Sequence, residues 1–237
     1  MQQHQPSLHW QFPSGAKFGR IIPKEKLYEQ TNANADLKQL FVEQVAQIKW
    51  AYKLAHNTVN LSKTQEVEEI EIIQIKLKTH ALDEKILTAI DQAIPHPTVF
   101  MLIREQQQGA IELAYKAAHK QKTQQEKWQH SQYLQSAWLQ PESNPPLPLP
   151  PATNLQGLYH QLFEALMPQT DNGPLLGQSS KRTLEQKLAA LAEIDTLNKK
   201  LSQIKNKRDK EKQFNRRLAL NDQFKTLALQ LKKLKAL

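Results

Sequence analysis

The spacing of apolar residues changes several times along residues 17–140, and each change predicts a different element. Over residues 34–45 the apolar positions recur every three or four residues, which places them on one face of a helix. Over residues 48–54 apolar and polar residues alternate, as they do in a half-buried strand. The run PTVFMLIR at residues 97–104 is continuous and β-prone, which is typical of a central strand. The order helix, strands, helix, strands predicts an α+β or α/β domain with a mixed sheet and flanking helices.

The segment EVEEIEIIQIKLK at residues 66–78 predicts another strand and carries a candidate catalytic group. Its alternation slips between Ile72 and Ile73, which indicates either a β-bulge or a strand covered on both faces. A carboxylate followed at one-residue spacing by lysine is how restriction-type nucleases hold a metal and orient water. One alternative function is therefore a metal-dependent nuclease that uses Glu69, Glu71, Gln74 and Lys76. The opposing interpretation is an edge strand whose charged side chains discourage aggregation.

The segments on either side of the predicted domain have a different composition. Residues 1–16 are rich in Gln, His and Pro, and they predict a flexible arm. Residues 141–153, PESNPPLPLPPAT, contain six prolines, which favour extended polyproline II and a semi-rigid spacer. A short amphipathic helix that ends at Pro168 follows, within a Pro-rich linker predicted over residues 141–180.

Residues 181–237 have the apolar spacing of long helices. From Leu184 to Ile204 the apolar residues step by three and four, and a second, heptad seam consists of Leu220, Phe224, Leu227, Leu231 and Leu234. Residues 205–213 between the seams contain no apolar side chain, so one continuous helix and a hairpin turning near Asn206 both fit. We favour a coiled-coil hairpin or paired helix, because each seam can then bury the other. A second chain could instead cover the seam, which makes a homodimeric coiled-coil structural protein a further alternative.

The positive charge of the chain is concentrated in this C-terminal extension. Residues 181–237 hold 16 Lys/Arg and 6 Asp/Glu, a net charge of +10, whereas the whole chain carries +9. The densest basic cluster is Lys199, Lys200, Lys205, Lys207, Arg208, Lys210, Lys212, Arg216 and Arg217. Such a concentration of charge neutralises phosphates and releases counterions, which gives nucleic-acid binding without sequence choice. The opposing interpretation is the solvated exterior of a coiled coil, which is commonly rich in lysine.

Missing residue types and motifs narrow the classes of function. The chain has no cysteine, which excludes disulfides, thiolate zinc sites and cysteine nucleophiles. It has neither a GxxxxGK(S/T) nor a GxGxxG motif, and its histidines lack ligand-like spacing, so we expect no cofactor and no metal. The N-terminus lacks the apolar run of a signal peptide, and no stretch approaches the roughly 20 apolar residues that span a bilayer. We therefore expect a cytoplasmic protein with no membrane partner, and an enzyme less readily than a binding protein.

The amino-acid sequence of several stretches resembles that of one protein family. These stretches are LKQLFVEQVAQIKWAYKLA, EVEEIEIIQIKLK, ILTAIDQAIPHPTVFMLI and KEKQFNRRLALNDQFKTL, in which the Ile-Pro-His-Pro and Lys-Gln-Phe-Asn-Arg blocks are fairly specific. The resemblance is to the bacterial and archaeal family labelled domain of unknown function 4391, and it spans nearly the full chain. It implies genes that lie beside helicase-like ATPases and DNA methyltransferases in restriction or phage-defence loci. It implies no catalytic residues.

We therefore predict a non-catalytic accessory subunit of a DNA-directed restriction or phage-defence system. The α/β domain would dock a helicase-like ATPase or a DNA methyltransferase. The basic C-terminal helices would contact that partner, duplex DNA without sequence specificity, or both.

Overall fold

The structure is a computed structural model that describes residues 3–106, 109–122, 128–170, 173–174 and 183–236. The chain divides into two compact units. The first unit is His4–Pro168, and the second is Gln169–Leu237 together with Met1–Gln3.

A six-stranded mixed sheet forms the centre of the first unit, and its strands follow one another in space as they do in sequence. The strands are β1 (Lys17–Ile21), β2 (Val45–Ala55), β3 (Glu69–Leu77), β4 (Thr98–Glu105), β5 (Ile111–Lys122) and β6 (Trp128–Gln135). Adjacent strands are antiparallel except β3 and β4, which are parallel. A parallel pair needs a crossover connection, and a helix between the two strands supplies it. The predicted mixed sheet with flanking helices is confirmed.

Most helices in the described part of the chain begin after a capping side chain. The helices are α1 (Lys24–Thr31), α2 (Ala35–Gln44), α3 (His56–Val59), α4 (Glu84–Ala93), α5 (Leu155–Glu164), α6 (Leu184–Lys210) and α7 (Phe214–Ala236). Four of them start after a side chain that accepts a hydrogen bond from a first-turn N–H, namely Asn34, Asp83, Asn154 and Thr183. The remaining short elements are the two-residue strands Gln3–His4, Trp10–Gln11, Leu147–Pro148, Gln169–Thr170 and Gly173–Pro174, and the 3-10 turns Ser14–Ala16 and Pro141–Ser143.

Strand β3 is covered on both faces, and this explains the slip in its alternation. Ile72 and Ile73 point to opposite faces and both are fully buried. Helices α1, α2 and α4 pack on the Ile73 face, and α5 contacts β3 and β5. The bulges lie in the neighbouring strand instead, because the pairing of β2 with β3 passes over Ala46 and Ala51.

The first unit extends beyond the predicted end of the domain near residue 140. Residues Trp10–Gln11, within the predicted arm, pair in parallel with Leu147–Pro148 of the proline-rich segment. The ring of Trp10 also packs on Tyr115, with 4.4 Å between the ring centroids. Helix α5 buries five side chains, Leu155, Leu158, Tyr159, Leu162 and Phe163. Each fully buried apolar side chain contributes about 1.5–3 kcal/mol, so α5 is a packed part of the first unit and not part of a spacer.

The second unit contains a helical hairpin, which the sequence predicted, but its turn lies later than Asn206. Helix α6 continues to Lys210 and α7 begins at Phe214. Arg208 connects the two helices, since its guanidinium donates to Asn221 Oδ1 at 3.4 Å and lies 5.3 Å from the centroid of the Phe224 ring. The alternative of one continuous helix is therefore wrong.

The turn contains neither glycine nor proline; Glu211 ends α6 and also contacts the residue that precedes α7. Its backbone is extended, with φ −77° and ψ 126°, which terminates the helix. Its carboxylate accepts from the N–H of Gln213 at 2.9 Å. Basic residues also fill the last turn of α6. Their positive charge interacts favourably with the negative end of the helix dipole, which stabilises the helix beyond Asn206.

Candidate functional site

A bulge in β2 decides which side chains share a face with the carboxylates of β3. Trp50 pairs with Ile73 and Lys53 pairs with Glu71, whereas Ala51 between them has no partner on β3. In a regular strand Trp50 and Lys53 would point to opposite faces, because side chains alternate with a period of two. The extra residue places both on the face of Glu71.

The parallel pair brings a histidine to the same edge of the sheet. Strands β3 and β4 run in one direction, so their first residues lie together, and Glu71 pairs with Thr98. His96 lies in the short Ile-Pro-His-Pro connection between α4 and β4. The next residue, Pro97, accepts from the N–H of Glu71 at 2.8 Å. This connection sets His96 beside the carboxylates.

Glu69, Glu71 and His96 form a compact group, which we call the carboxylate–histidine cluster. His96 Nε2 lies 3.0 Å from Glu69 Oε1, and Lys53 Nζ lies 2.5 Å from Glu69 Oε2. The indole of Trp50 donates to Glu71 Oε2 at 2.5 Å. One ligand atom from each cluster member lies within 4.8 Å of the other two. Carboxylates and an imidazole at this spacing can hold a divalent cation.

Glu71 is the most constrained member of the cluster. The residue is fully buried, and its Oε1 atom has no hydrogen-bond partner among the described residues. Burial raises the pKa of the Glu71 carboxyl to about 8; the Trp50 hydrogen bond opposes this rise, and the charge of Glu69 adds to it. At neutral pH this carboxyl is therefore mainly protonated unless a cation replaces the proton.

Glu69 and His96 have pKa values that move in the same direction for different reasons. Burial disfavours ionisation of Glu69, but the Lys53 hydrogen bond and the neighbouring His96 outweigh burial and lower its pKa. Burial lowers the pKa of His96, against the opposite influence of Glu69. A carboxylate and a neutral imidazole are the protonation states in which these side chains bind metals.

The four residues predicted as a nuclease group do not come together. Glu69 and Glu71 lie on the Ile73 face of β3, whereas Gln74 and Lys76 lie on the opposite face, because their positions differ from Glu71 by an odd number of residues. Lys76 instead forms an ion pair of 3.4 Å with Glu105 on β4. Lys53, supplied by β2, is the lysine that lies with the carboxylates.

The sequence missed His96 and Lys53 as members of the site. The expectation of no metal rested on the spacing of the histidines to one another, whereas the carboxylates lie 25 or more positions away from His96. The available signal was the Pro-His-Pro segment, which joins helix α4 to strand β4. A helical crossover makes β4 parallel to β3, so the start of β4 lies beside the carboxylates at the start of β3.

An open pocket of about 440 Å³ adjoins the cluster. Glu69 and His96 contribute to its wall, together with the cationic side chains Arg20 and Lys26. Trp50 and Phe18 add aromatic surface, and their ring centroids are 4.9 Å apart.

The second unit carries its own candidate site at the turn of the hairpin. We call residues 199–217 the basic tip. Of its nine basic side chains eight are exposed, and Arg208 is half-buried. Lys199 pairs with Asp195 at 2.7 Å, and Arg208 pairs with Asp209 at 3.0 Å. The other seven form no ion pair with any described residue; they are Lys200, Lys205, Lys207, Lys210, Lys212, Arg216 and Arg217.

The apolar seam of α7 is partly covered inside the hairpin. All five predicted residues are half-buried, namely Leu220, Phe224, Leu227, Leu231 and Leu234. The contact between Arg208 and Phe224 shows that this face of α7 is turned toward α6. Whether a partner also binds the seam stays a prediction.

Comparison with protein-family models gives a match over most of the chain. Residues 11–231 match the model of a family described as Domain of unknown function (DUF4391). No curated protein and no solved structure matches the chain. None of the helices in the described part of the chain combines the length and apolar character that crossing a membrane requires.

Proposed function

The chain belongs to the DUF4391 family, and from that premise and the geometry of the hairpin we propose that it is a cytoplasmic accessory protein that binds duplex nucleic acid through its basic tip. The seven exposed cations of the tip that no described residue neutralises carry this proposal. They surround a three-residue turn, so a single phosphate backbone can meet cations from both helices.

The charge pattern favours phosphate contacts over base recognition. Lysine and arginine at a helical surface neutralise phosphates irrespective of sequence. Phe214 is the one aromatic side chain of the tip, and it is 74% exposed. Single-strand binding usually stacks successive bases on several aromatic rings, so duplex binding without sequence choice fits this surface better.

The accessory role extends the proposal to a protein partner. We assign the sheet-containing unit to docking a helicase-like ATPase or a DNA methyltransferase of a restriction or phage-defence system. The support is the family resemblance, which is an association and not a mechanism. Co-purification of the tagged full chain from its native host, with the basic tip intact and neutralised, tests this part of the proposal. Recovery of neither class of protein would contradict it.

The DNA-binding proposal is tested by the salt dependence of binding. The variant Lys205→Gln, Lys207→Gln, Lys210→Gln and Lys212→Gln removes four charges from the tip. The matched control Lys225→Gln, Lys232→Gln, Lys233→Gln and Lys235→Gln removes four charges from α7 outside it. Fluorescence anisotropy with a labelled duplex then gives the slope of log K against log salt, which changes by about 0.9 for each phosphate contact.

We expect the tip variant to lose about 3–4 from this slope if all four lysines contact phosphates. The control should lose less than about 1, since its lysines lie outside the proposed contact. Equal slopes for the two variants would show that total charge, and not the tip, determines binding. A tip variant that binds as the wild type does would exclude the proposed contact.

A further inference from the structure

The carboxylate–histidine cluster supports a function that the basic tip does not supply. We propose that Glu69, Glu71 and His96 bind one divalent transition-metal ion of the Mn²⁺ kind, and that the adjoining pocket takes a phosphate-bearing ligand of that ion.

The geometry of the three side chains suits one ion. Their ligand atoms lie within 4.8 Å of one another. Ligands on opposite sides of an ion bound at about 2.0–2.4 Å are separated by about 4–5 Å at most. Two carboxylates and one imidazole form a donor set for Mn²⁺ and its first-row neighbours, because Mg²⁺ and Ca²⁺ prefer oxygen ligands alone.

The state of Glu71 is the second observation that points to a ligand. Its side chain is fully buried, and Trp50 satisfies Oε2 only. Oε1 has no hydrogen-bond partner in the described part of the chain. Buried polar atoms normally have a hydrogen-bond partner, so a buried oxygen without one indicates that an ion or a proton completes the site. A proton shared between Glu69 and Glu71 is the rival arrangement, and it would leave the site without affinity for a metal.

Neighbouring groups hold the ligands in a fixed orientation, as they do at known metal centres. Lys53 occupies Oε2 of Glu69, which leaves Oε1 on the side of His96. Trp50 fixes the carboxyl of Glu71 from the other strand. Proline on both sides of His96 restricts its backbone. The three ligands are therefore organised before a metal arrives.

The pocket determines what else the ion can bind. Glu69 and His96 line it, so the open coordination positions of a bound ion would face its interior. Its cationic side chains are Arg20 and Lys26, and arginine pairs well with phosphate oxygens. A phosphate group that bridges the ion and Arg20 is the ligand that this combination of charges favours.

The metal assignment is tested with Mn²⁺ alone, titrated into the full chain while electron paramagnetic resonance reports the unbound ion. We expect one Mn²⁺ per chain for the wild type. Glu71→Gln and His96→Gln should each weaken binding at least about tenfold, since loss of a residue that only orients a ligand already does so. Glu68→Gln is the matched control for Glu71→Gln, because it makes the same substitution at an exposed residue next to the cluster. Circular dichroism checks that each variant is folded. If Glu71→Gln does not fold, His96→Gln by itself tests the metal assignment.

The outcomes separate the alternatives. Absence of Mn²⁺ binding by the wild type would overturn the proposal in favour of a shared proton. Equal affinity of Glu71→Gln and Glu68→Gln would overturn it as well. Inorganic phosphate should tighten Mn²⁺ binding to the wild type but not to Arg20→Gln, and an unchanged wild-type affinity would remove the phosphate-bearing ligand from the proposal. Because the DNA test uses lysines of the other unit, the two proposals can fail separately.

Discussion

Protonation of His119 should weaken the first unit as the pH falls. His119 is 7% exposed and lies on β5, where its ring stacks on Tyr159 of α5 with 5.5 Å between centroids. The rings of His160 and Phe163 approach it at 5.5 and 5.6 Å. Burial, with a smaller contribution from the charge of His160, lowers the pKa of His119 from 6.5 to about 4.

The sign and size of the effect follow from this shift. A group whose pKa is lower in the folded state contributes stability above its unfolded pKa of 6.5, and this contribution is lost as the pH falls toward 4. Each unit of pKa corresponds to about 1.4 kcal/mol, so the complete loss is about 3 kcal/mol. Between about pH 7.5 and pH 5 the loss amounts to about 2 kcal/mol.

The assay is urea denaturation followed by tryptophan fluorescence, since all four tryptophans precede residue 169 and report on the first unit. The variant His119→Phe keeps an aromatic ring but cannot be protonated. Buried Glu71, whose pKa is raised, gains stability over the same fall in pH. The quantity to compare is therefore the difference in unfolding free energy between wild type and variant, which should shift by about 2 kcal/mol in favour of the variant at pH 5. A difference that stays constant within about 0.5 kcal/mol would refute the reasoning.

Two further predictions concern the packing of each unit. Lys120 donates from Nζ to the carbonyls of Asp91 and Ile94 at the C-terminus of α4, and Lys120→Met should cost about 3 kcal/mol because buried acceptors lose their donor. The matched control Lys116→Met breaks an ion pair with an exposed carboxylate, and we expect it to lower the unfolding free energy by about 1 kcal/mol or less. Equal losses of unfolding free energy in chemical denaturation would contradict the role of Lys120. Phe224→Ala should speed amide hydrogen exchange in α7 without changing the sedimentation of the full chain, because the seam faces α6. If the wild type instead sediments as a dimer and the variant as a monomer, the seam joins two chains.

The spacing of apolar and polar residues along the chain was sufficient to predict most of the helices and strands. The periods of two and three to four residues predicted the strands and helices of the sheet-containing unit. The paired seams predicted the hairpin, but the turn was misplaced near Asn206. Charge alone does not end a helix. In the structure α6 ends at Lys210, and the carboxylate of Glu211 accepts from the N–H of Gln213 just before the next helix.

The candidate metal site shows where sequence reasoning stops. Glu69 and Glu71 lie on one face of β3, as their spacing of two residues requires, but Gln74 and Lys76 were grouped with them against the alternation of the strand. Lys53 reaches the site only because Ala51 bulges out of β2, and the apolar spacing of residues 48–54 did not reveal this bulge.

The amino-acid sequence determined the element order, the cationic extension and the absence of cysteine chemistry, because each of these depends on residue type and short-range spacing. The tertiary structure alone decided that His96 meets Glu69 and Glu71, and that a lysine from another strand lies beside them. These contacts join positions up to 27 residues apart, from Glu69 to His96. They depend on the register of paired strands and the direction of a crossover, which are set when the whole sheet packs against its helices.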